Sequence, residues 1–530
     1  MILVALCLGF FGYSIYGIGL LQVLYPPVVQ IVTVSYWGLV ILLFRKSILR
    51  FLTLLPFRVQ SLDTKSKVVG LLIVLLASVN LVGALGPELA FDAIWYHLTL
   101  PKMYLLDHAI HVIRGGLLYY SGMPQLGEMY YIVALVFHGE ILAKFIHFLF
   151  GILCCITLYI ISRKVLSVRI SSLVVLIFYS NLVVSWESTT AYIDLIRTFF
   201  EISAIYSLLF WREIQQVKYL KLAGVLLGFA VGVKLLAIAS YPLFCILIIL
   251  FSSTKSIQLK MKAVGIFTIC FLAPTIPWML SAFMQTGNPL YPFFSVFYHV
   301  TPREGLLNPI TFISSLWNIL TQAADPVSPL YVLCLPLILF IFRNLSFLEK
   351  SLCIYSIGSL FIWYLIPDTG GGRFIVPYLP LLSVAVGIVI RWFLKTQKVY
   401  AYLLIGISIM LFATTFFYRG VANARYLPVI TGRETKREFL TGHLNFSFGD
   451  FYDTDGYFKQ EIKPSDVVLL YGFHNLYYVD FPFVDSSWRK YDDRFTHVAT
   501  QGVVLPQEFS TWQPIYYNKI TDVTLYTKPQ

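Results

Sequence analysis

The residues best equipped for chemistry sit in one short stretch, Gly86 to Tyr104, with the sequence GPELAFDAIWYHLTLPKMY. It places Glu88, Asp92, His97 and Lys102 directly after an apolar run from Val68 to Leu85. A carboxylate can take a proton from an attacking hydroxyl, while Lys or Arg steadies a departing phosphate. Gly86 and Pro87 break the apolar run, and proline suits the first turn of a new helix, where its missing N–H costs nothing. The spacing then predicts Glu88 and Asp92 at i and i+4 on one helical face, with Tyr96 one turn further along. Leu100 precedes Pro101, which disfavours helix there and predicts a turn of the chain. Asp92 is the candidate base, its alternative being a surface carboxylate near a helix start. Glu88 is either a second acid or a partner of the helix dipole. His97 is either a functional imidazole or hydrogen-bonded scaffolding.

Charged groups at membrane depth are costly, so those near an outer surface are the natural partners of this stretch. They are Glu128, Asp194, Lys234, Arg303, Asp368 and Arg373. Asp194 follows WESTTAYI at the start of an apolar run, as a helix cap or as a second acid. Lys234 follows GFAVGV, whose small residues let helices approach closely; it either snorkels to the interface or holds a phosphate. In Gly370–Phe374, GGGRF, successive glycines can turn backbone N–H groups towards an anion and Arg373 can grip phosphate bidentately. The stretch GNPLYPFF, Gly287 to Phe294, predicts a rigid turn with aromatic interface anchors. There is no H-E-x-x-H and no D-x-D in the first large loop; Asp453 and Asp455 form the single D-x-D, in a predicted loop. No cofactor is expected; a divalent metal is the alternative left open, and it is not favoured.

These residues must be positioned by a membrane protein. The chain has 530 residues, 58% of them hydrophobic and 12% charged, and its mean hydropathy is +0.76. Apolar runs recur as far as about Phe417, which predicts an all-α polytopic body of about thirteen spans. The formal charge of +12 comes mostly from short basic loops, such as Arg45 to Lys67, so topology explains it and nucleic acid does not. Those loops set the parity: the 87–127 loop is extracytoplasmic, and so are the starts of the runs at Asp194 and Arg373. Residues 1–67 are two further helices and a basic cytoplasmic loop, 68–417 the main membrane body, and 418–530 a small extracytoplasmic α/β domain. In that domain RETKREFLTGHL predicts a helix, and VVLLY, NLYYVDFPF and DVTLYTK predict strands. The N-terminus lacks a basic n-region and a small-residue cleavage site, so the first run is expected to remain as a span. All seven cysteines lie within apolar runs and are expected to serve as packing residues. Asn445-Phe-Ser447 is a formal glycosylation sequon, meaningful only in a eukaryotic source.

The ordered set of motifs resembles the GT-C type glycosyltransferases that use polyprenol-phosphate sugars, in particular the bacterial lipopolysaccharide-core, mannosyl- and aminoarabinosyl-transferase group. The pieces are FDAIWYHLTLPKMY, MPQLGEMYY (Met123 to Tyr131), AYIDLIRTFF (Ala191 to Phe200), GVLLGFAVGVKLLA (Gly224 to Ala237), GNPLYPFF and GGGRFIVPYLPLL (Gly370 to Leu382), spanning roughly residues 68–390. The resemblance implies a lipid-linked sugar donor, transfer to a glycan, lipid or protein hydroxyl on the extracytoplasmic face, and a bacterial inner-membrane location. It implies that Asp92 is the base towards the acceptor or positions it, that Asp194 is a cavity acid, and that Lys234 and Arg373 face the lipid phosphate; Glu88 is the further catalytic candidate, and His97, Lys102, Glu128 and Tyr291 are the further candidates for substrate binding. Many relatives follow the first acid with a second, whereas here Ala93 follows Asp92, which argues against a metal-bound pair of adjacent carboxylates. Two rival readings are a ligase or polymerase joining whole lipid-linked oligosaccharides, and a lipid or polysaccharide transporter. Transporters place polar residues at the midplane and show repeats; here the charges cluster at outer ends and no repeat is visible.

Overall fold

A computed structural model describes residues 1–60, 62–295, 308–322, 326–365 and 371–529. Among these, seven helices are long and apolar enough to cross a membrane: Ile2–Leu20, Pro26–Lys46, Thr64–Ala84, Gly139–Ser162, Ile257–Thr286, Gly372–Thr396 and Lys398–Ala424. Further expected crossings fall on shorter apolar helices, including Val168–Tyr179, Leu235–Phe251 and Leu330–Asn344. The segment Gly372–Thr396 is central, with 89% of its apolar window buried, whereas Pro26–Lys46 is peripheral with 6% buried and turns its leucines outward. In lipid an exposed apolar side chain costs nothing, so close approach of helices must come from small residues and polar contacts. The helix Val217–Val233 shows this: Gly224 and Gly228 lie so near the backbone of Ile257–Thr286 that an added Cβ would come within 2.5 Å of Phe267 O and Phe271 O. On the predicted cytoplasmic side, ion pairs tie the basic loops together, Lys164 to Glu213 at 2.8 Å and Arg391 to Glu349 at 2.5 Å.

The first large loop departs from the expected helix. Residues 87–90 are irregular, the chain becomes helical only at Phe91, and Ala93–His97 is a π-type turn. Glu88 and Asp92 therefore do not share a helical face. The turn expected at Pro101 is absent too: Pro101 sits in the first turn of the helix Thr99–Leu106, where proline is tolerated. Three groups from elsewhere pin the loop. Lys144 donates to Gly86 O and Pro87 O at 2.8 and 2.9 Å. Glu88 accepts from Leu89, Ala90 and Ala191 N–H at 2.9, 2.8 and 2.6 Å. Tyr192 Oη accepts from Asp92 N–H at 3.2 Å.

Beyond the helix Lys398–Ala424, which runs through the expected boundary at 417/418, the chain forms a small mixed-sheet domain. The helix Lys436–His443 opens with a capping box between Thr435 and Glu438. The strands are β1 (Val468–Tyr471), β2 (Phe483–Asp485), β3 (His497–Gln501), β4 (Gln513–Asn518) and β5 (Val523–Thr527), in the order β2-β1-β3-β5-β4. β1 is parallel to β2 and β3, and β5 is antiparallel to β3 and β4. Most of the predicted strand NLYYVDFPF is instead a loop that docks on the membrane body. There Tyr478 Oη donates to Glu88 O at 2.8 Å and Tyr477 Oη to Glu140 at 3.1 Å. Lys102 donates to Tyr477 O and Val479 O at 2.8 and 2.5 Å and pairs with Asp480 at 3.2 Å. Lys436 pairs with Glu140 at 2.5 Å.

Hydrogen bonds to a charged group contribute about 1.5–3 kcal/mol each, and leaving their carbonyls unpaired adds to the loss. Lys102→Met is therefore expected to loosen this junction, seen as faster amide hydrogen exchange over residues 474–480 with the β-sheet core unchanged. Unaltered exchange there would show that Lys102 does not hold the domain.

Candidate active site

A cavity of about 410 Å³ opens where the first loop, the segment around Lys234 and the Gly371–Tyr378 turn meet. Asp92, His97, Glu128, Lys234 and Arg373 line it, together with Phe91, Trp95, Tyr96, Tyr120 and Phe374. Sequence positions from 91 to 374 thus converge on one space.

Among the described residues Asp92 is one of its two acids, Glu128 being the other. Asp92 lies one turn before Tyr96, whose Oη donates to Asp92 Oδ2 at 3.0 Å. The same oxygen takes a close ion pair with Arg373 Nη1. The Arg373 guanidinium lies over the Tyr192 and Phe374 rings, at 5.2 and 5.4 Å from their centroids. Cation–π contacts of this kind hold the group against the rings while leaving other N–H donors for a ligand. Arg373 is itself carried by a turn that the membrane interior anchors. The buried Arg197 pairs with Glu201 at 3.3 Å and donates to Tyr378 Oη at 3.1 Å, fixing the turn's far end. Gly370 of the expected anion-binding stretch, together with Asp368 and Arg303, lies outside the described residues.

Lys234 is the second cation. The helix Val217–Val233 stops at Lys234, whose backbone is extended, before the 3₁₀ turn Leu235–Ser240. That break aims the ammonium at the cavity, 4.8 Å from the Phe374 ring centre, and at Asp194, with which it pairs at 2.6 Å. Asp194 is fully buried behind Lys234 and outside the cavity wall, at the first turn of the helix Asp194–Ile214, and does not act as its side-chain cap.

On the floor, His97 Nδ1 and Glu128 Oε1 are hydrogen-bonded at 2.7 Å, both buried. Burial, with Lys234 and Arg373 close by, holds His97 well below the usual imidazole range, so the ring is neutral at pH 7.

Besides Asp194, three more expected site residues stand outside the cavity wall. Glu88 does not line the cavity; its oxygens are taken by three backbone N–H groups, which makes it the fastener of the loop. Burial pushes its carboxyl above the usual range, against the opposing pull of Lys144 and those N–H groups. Lys102 faces the C-terminal domain, with three oxygen partners there. Tyr291 is buried against Gly122, while its neighbours Pro292 and Phe293 line the cavity. Asp453 and Asp455 cap the short helix Tyr457–Glu461 and hold Tyr516, which accounts for that D-x-D motif. Among the described residues no group of three or more His, Cys, Asp or Glu side chains converges as metal ligands.

The sequence reading passed over other residues of this neighbourhood. Behind Asp194, His147 bonds Thr190 O at 2.9 Å and lies 3.8 Å from Glu187, both side chains fully buried. Arg197 and Glu201 sit four apart inside an apolar run, and that spacing of opposite charges within a span was the available signal.

No protein-family model matches the chain, and no curated protein matches it. Among solved structures, ArnT from Cupriavidus metallidurans bound to undecaprenyl phosphate is 12% identical with a TM-score of 0.57, over 88% of this chain and 100% of that one. ArnT from the same organism in the apo state is 13% identical with a TM-score of 0.53 over the same shares. An oligosaccharyltransferase from Archaeoglobus fulgidus, in complex with zinc and sulfate, gives a TM-score of 0.48 at 12% identity, over 81% of this chain and 67% of that one, and carries no argument. At such identities the likeness speaks to fold. The chain is a multi-pass helical membrane protein with a small C-terminal sheet domain, and its fold is of the GT-C type that its motifs resemble.

Proposed function

We propose that this protein is a membrane glycosyltransferase that moves a sugar from a polyprenyl-phosphate carrier to an acceptor hydroxyl on the extracytoplasmic face, in a bacterial inner membrane. The observation that carries this reading is a cavity in which the Asp92 carboxylate stands beside two cations, Lys234 and Arg373, within aromatic walls, with Glu128 bound to His97 on the floor. The similarity in fold to a protein solved with undecaprenyl phosphate supports it. In the proposed reaction the acceptor oxygen attacks the anomeric carbon and its proton passes to Asp92. The bond from that carbon to the phosphate oxygen breaks, and the electron pair leaves with the lipid phosphate. Lys234 and Arg373 face the charge that builds on the phosphate, which in a site poor in water is the dominant form of stabilisation. Asp194 holds Lys234 in place, and the His97–Glu128 pair supports the floor beneath the sugar.

Arg373 has two claims on it, since it already pairs with Asp92. A donor phosphate would draw the guanidinium towards itself and free an Asp92 lone pair for the acceptor proton. Base and phosphate ligand are thereby coupled through one side chain.

Two measurements test the assignment. With purified protein in nanodiscs, a panel of radiolabelled polyprenyl-phosphate sugars and a cell-envelope extract, Asp92→Asn is expected to lower transfer by about 10²–10⁴-fold, the range for loss of a general base. Equal transfer by both proteins removes Asp92 from the mechanism. Lys234→Met alone strands a buried carboxylate, at about 3–5 kcal/mol of stability. The double variant Lys234→Met with Asp194→Asn is expected to recover much of that stability. It should still bind undecaprenyl phosphate at least about tenfold more weakly, one charge-assisted contact contributing about 1.4 kcal/mol or more. Wild-type affinity in the double variant would remove Lys234 from the phosphate site.

A further inference from the structure

Two rings that line the cavity, Phe91 and Trp95, belong to an aromatic cluster whose members come from two separate parts of the chain. Phe91 and Trp95 belong to the first loop, and Phe448 and His474 to the C-terminal domain. His474 lies 4.3 Å from the Trp95 ring and 4.8 Å from Phe91, nearly parallel to the latter at 23°. Phe448 meets His474 edge-on at 5.0 Å and Phe91 at 5.2 Å. Trp95 continues the wall inward to Tyr120, 4.8 Å away, and so towards Asp92. Yet the cluster is not closed: Phe91 is 37% and Phe448 55% exposed, on the side where the polar domain sits. Rings left half open at the lip of a cavity mark a binding surface more than a core.

We infer that this aromatic lip is a stacking subsite for a sugar ring of the acceptor, so that the hydroxyl presented to Asp92 belongs to a glycan or to the glycan head of a glycolipid. The inference rests on the function proposed above and narrows its acceptor to carbohydrate. A pyranose offers an apolar C–H face to lie on rings and a rim of hydroxyls to be hydrogen-bonded. The lip supplies both. Its polar atoms are the Asp92 carboxylate at the inner edge and His474 Nε2, which is buried without a hydrogen-bond partner. An unpaired buried donor or acceptor of this kind carries a cost that a ligand hydroxyl removes. Burial also lowers His474 below the usual imidazole range, so its ring is neutral and Nε2 can donate or accept towards a hydroxyl according to its tautomer. The donor end is accounted for separately, because both phosphate-facing cations pack on Phe374. A peptide acceptor in extended form would want a backbone edge to pair with, and the lip presents side-chain rings. The docking contacts of Tyr478 with Glu88 and of Lys102 with Tyr477 and Val479 hold the two halves of the lip in register.

The test places a photo-cross-linker in the lip of the full-length protein. Phe448→p-azidophenylalanine keeps an aromatic ring at an exposed position. The protein is put in nanodiscs, mixed with the cell-envelope extract, irradiated, digested and analysed by mass spectrometry. Tyr491→p-azidophenylalanine, at a fully exposed position, is the control. The expected result is a glycan-bearing adduct at 448, several-fold above that at 491. No excess over the control, an adduct with phospholipid alone, or an adduct with peptide alone overturns the subsite, the second result making the lip a membrane anchor. Binding of undecaprenyl phosphate to the wild-type protein, followed by native mass spectrometry, separates the two claims. If that lipid binds and no glycan is captured, the subsite fails and the transferase reading stands. If glycan is captured and the lipid does not bind, the lip is supported and the lipid-phosphate donor is overturned.

Discussion

The structure around the cavity depends on one constraint: charges carried to the rim of a lipid-embedded body must find partners within the protein. Asp92 with Arg373 and Asp194 with Lys234 satisfy it pairwise, and each pair joins segments far apart in sequence. The loop bearing Asp92 is pinned by Lys144 and by Glu88, and the turn bearing Arg373 is anchored through Arg197 and Tyr378. The helices Asp194–Ile214 and Val217–Val233 also pack directly on each other, so the ion pairs act together with packing to bring residues 92, 194, 234 and 373 together.

The C-terminal domain is tied into the same arrangement. Tyr478 reaches the carbonyl of Glu88, the residue that fastens the loop, while Lys102 and Lys436 bind the domain through oxygens on both sides of the junction. Domain and loop therefore behave as one unit around the cavity mouth. A displacement of the domain would be felt at Asp92 through only four residues of chain.

Much of this was legible in the sequence, and for a physical reason. An ionisable residue beside an apolar run is conspicuous, so Asp92, His97, Asp194, Lys234 and Arg373 could be singled out and assigned to one side by the basic loops opposite. The close helix approach read from the small residues before Lys234 is met at Gly228. What escaped was whatever depends on a distant backbone or on the other domain. Glu88 looked like a partner for Asp92 because the spacing fits a helix; the N–H of Ala191, a hundred positions away, settles it otherwise. Lys102 resembled a free cation because nothing local shows the carbonyls of Tyr477 and Val479. NLYYVDFPF alternates as a strand does, yet most of it serves as a docking loop. His474 is a lone histidine in a polar region, and only its position against Trp95 gives it interest.

The pairing of Arg373 with Asp92 bears on which anions the cavity admits. Among the described residues both cations of the cavity are already matched by carboxylates, so these residues offer no surplus positive charge to attract a soluble phosphate or sulfate from the medium. A phosphate tethered to a membrane-embedded tail is different, because confinement to the bilayer gives it a high effective concentration beside the site. It can compete for a guanidinium that a dilute free anion cannot win. On the proposed reading the salt bridge works as a filter on dimensionality, passing ligands that arrive in the plane of the membrane and refusing those that arrive from the bulk.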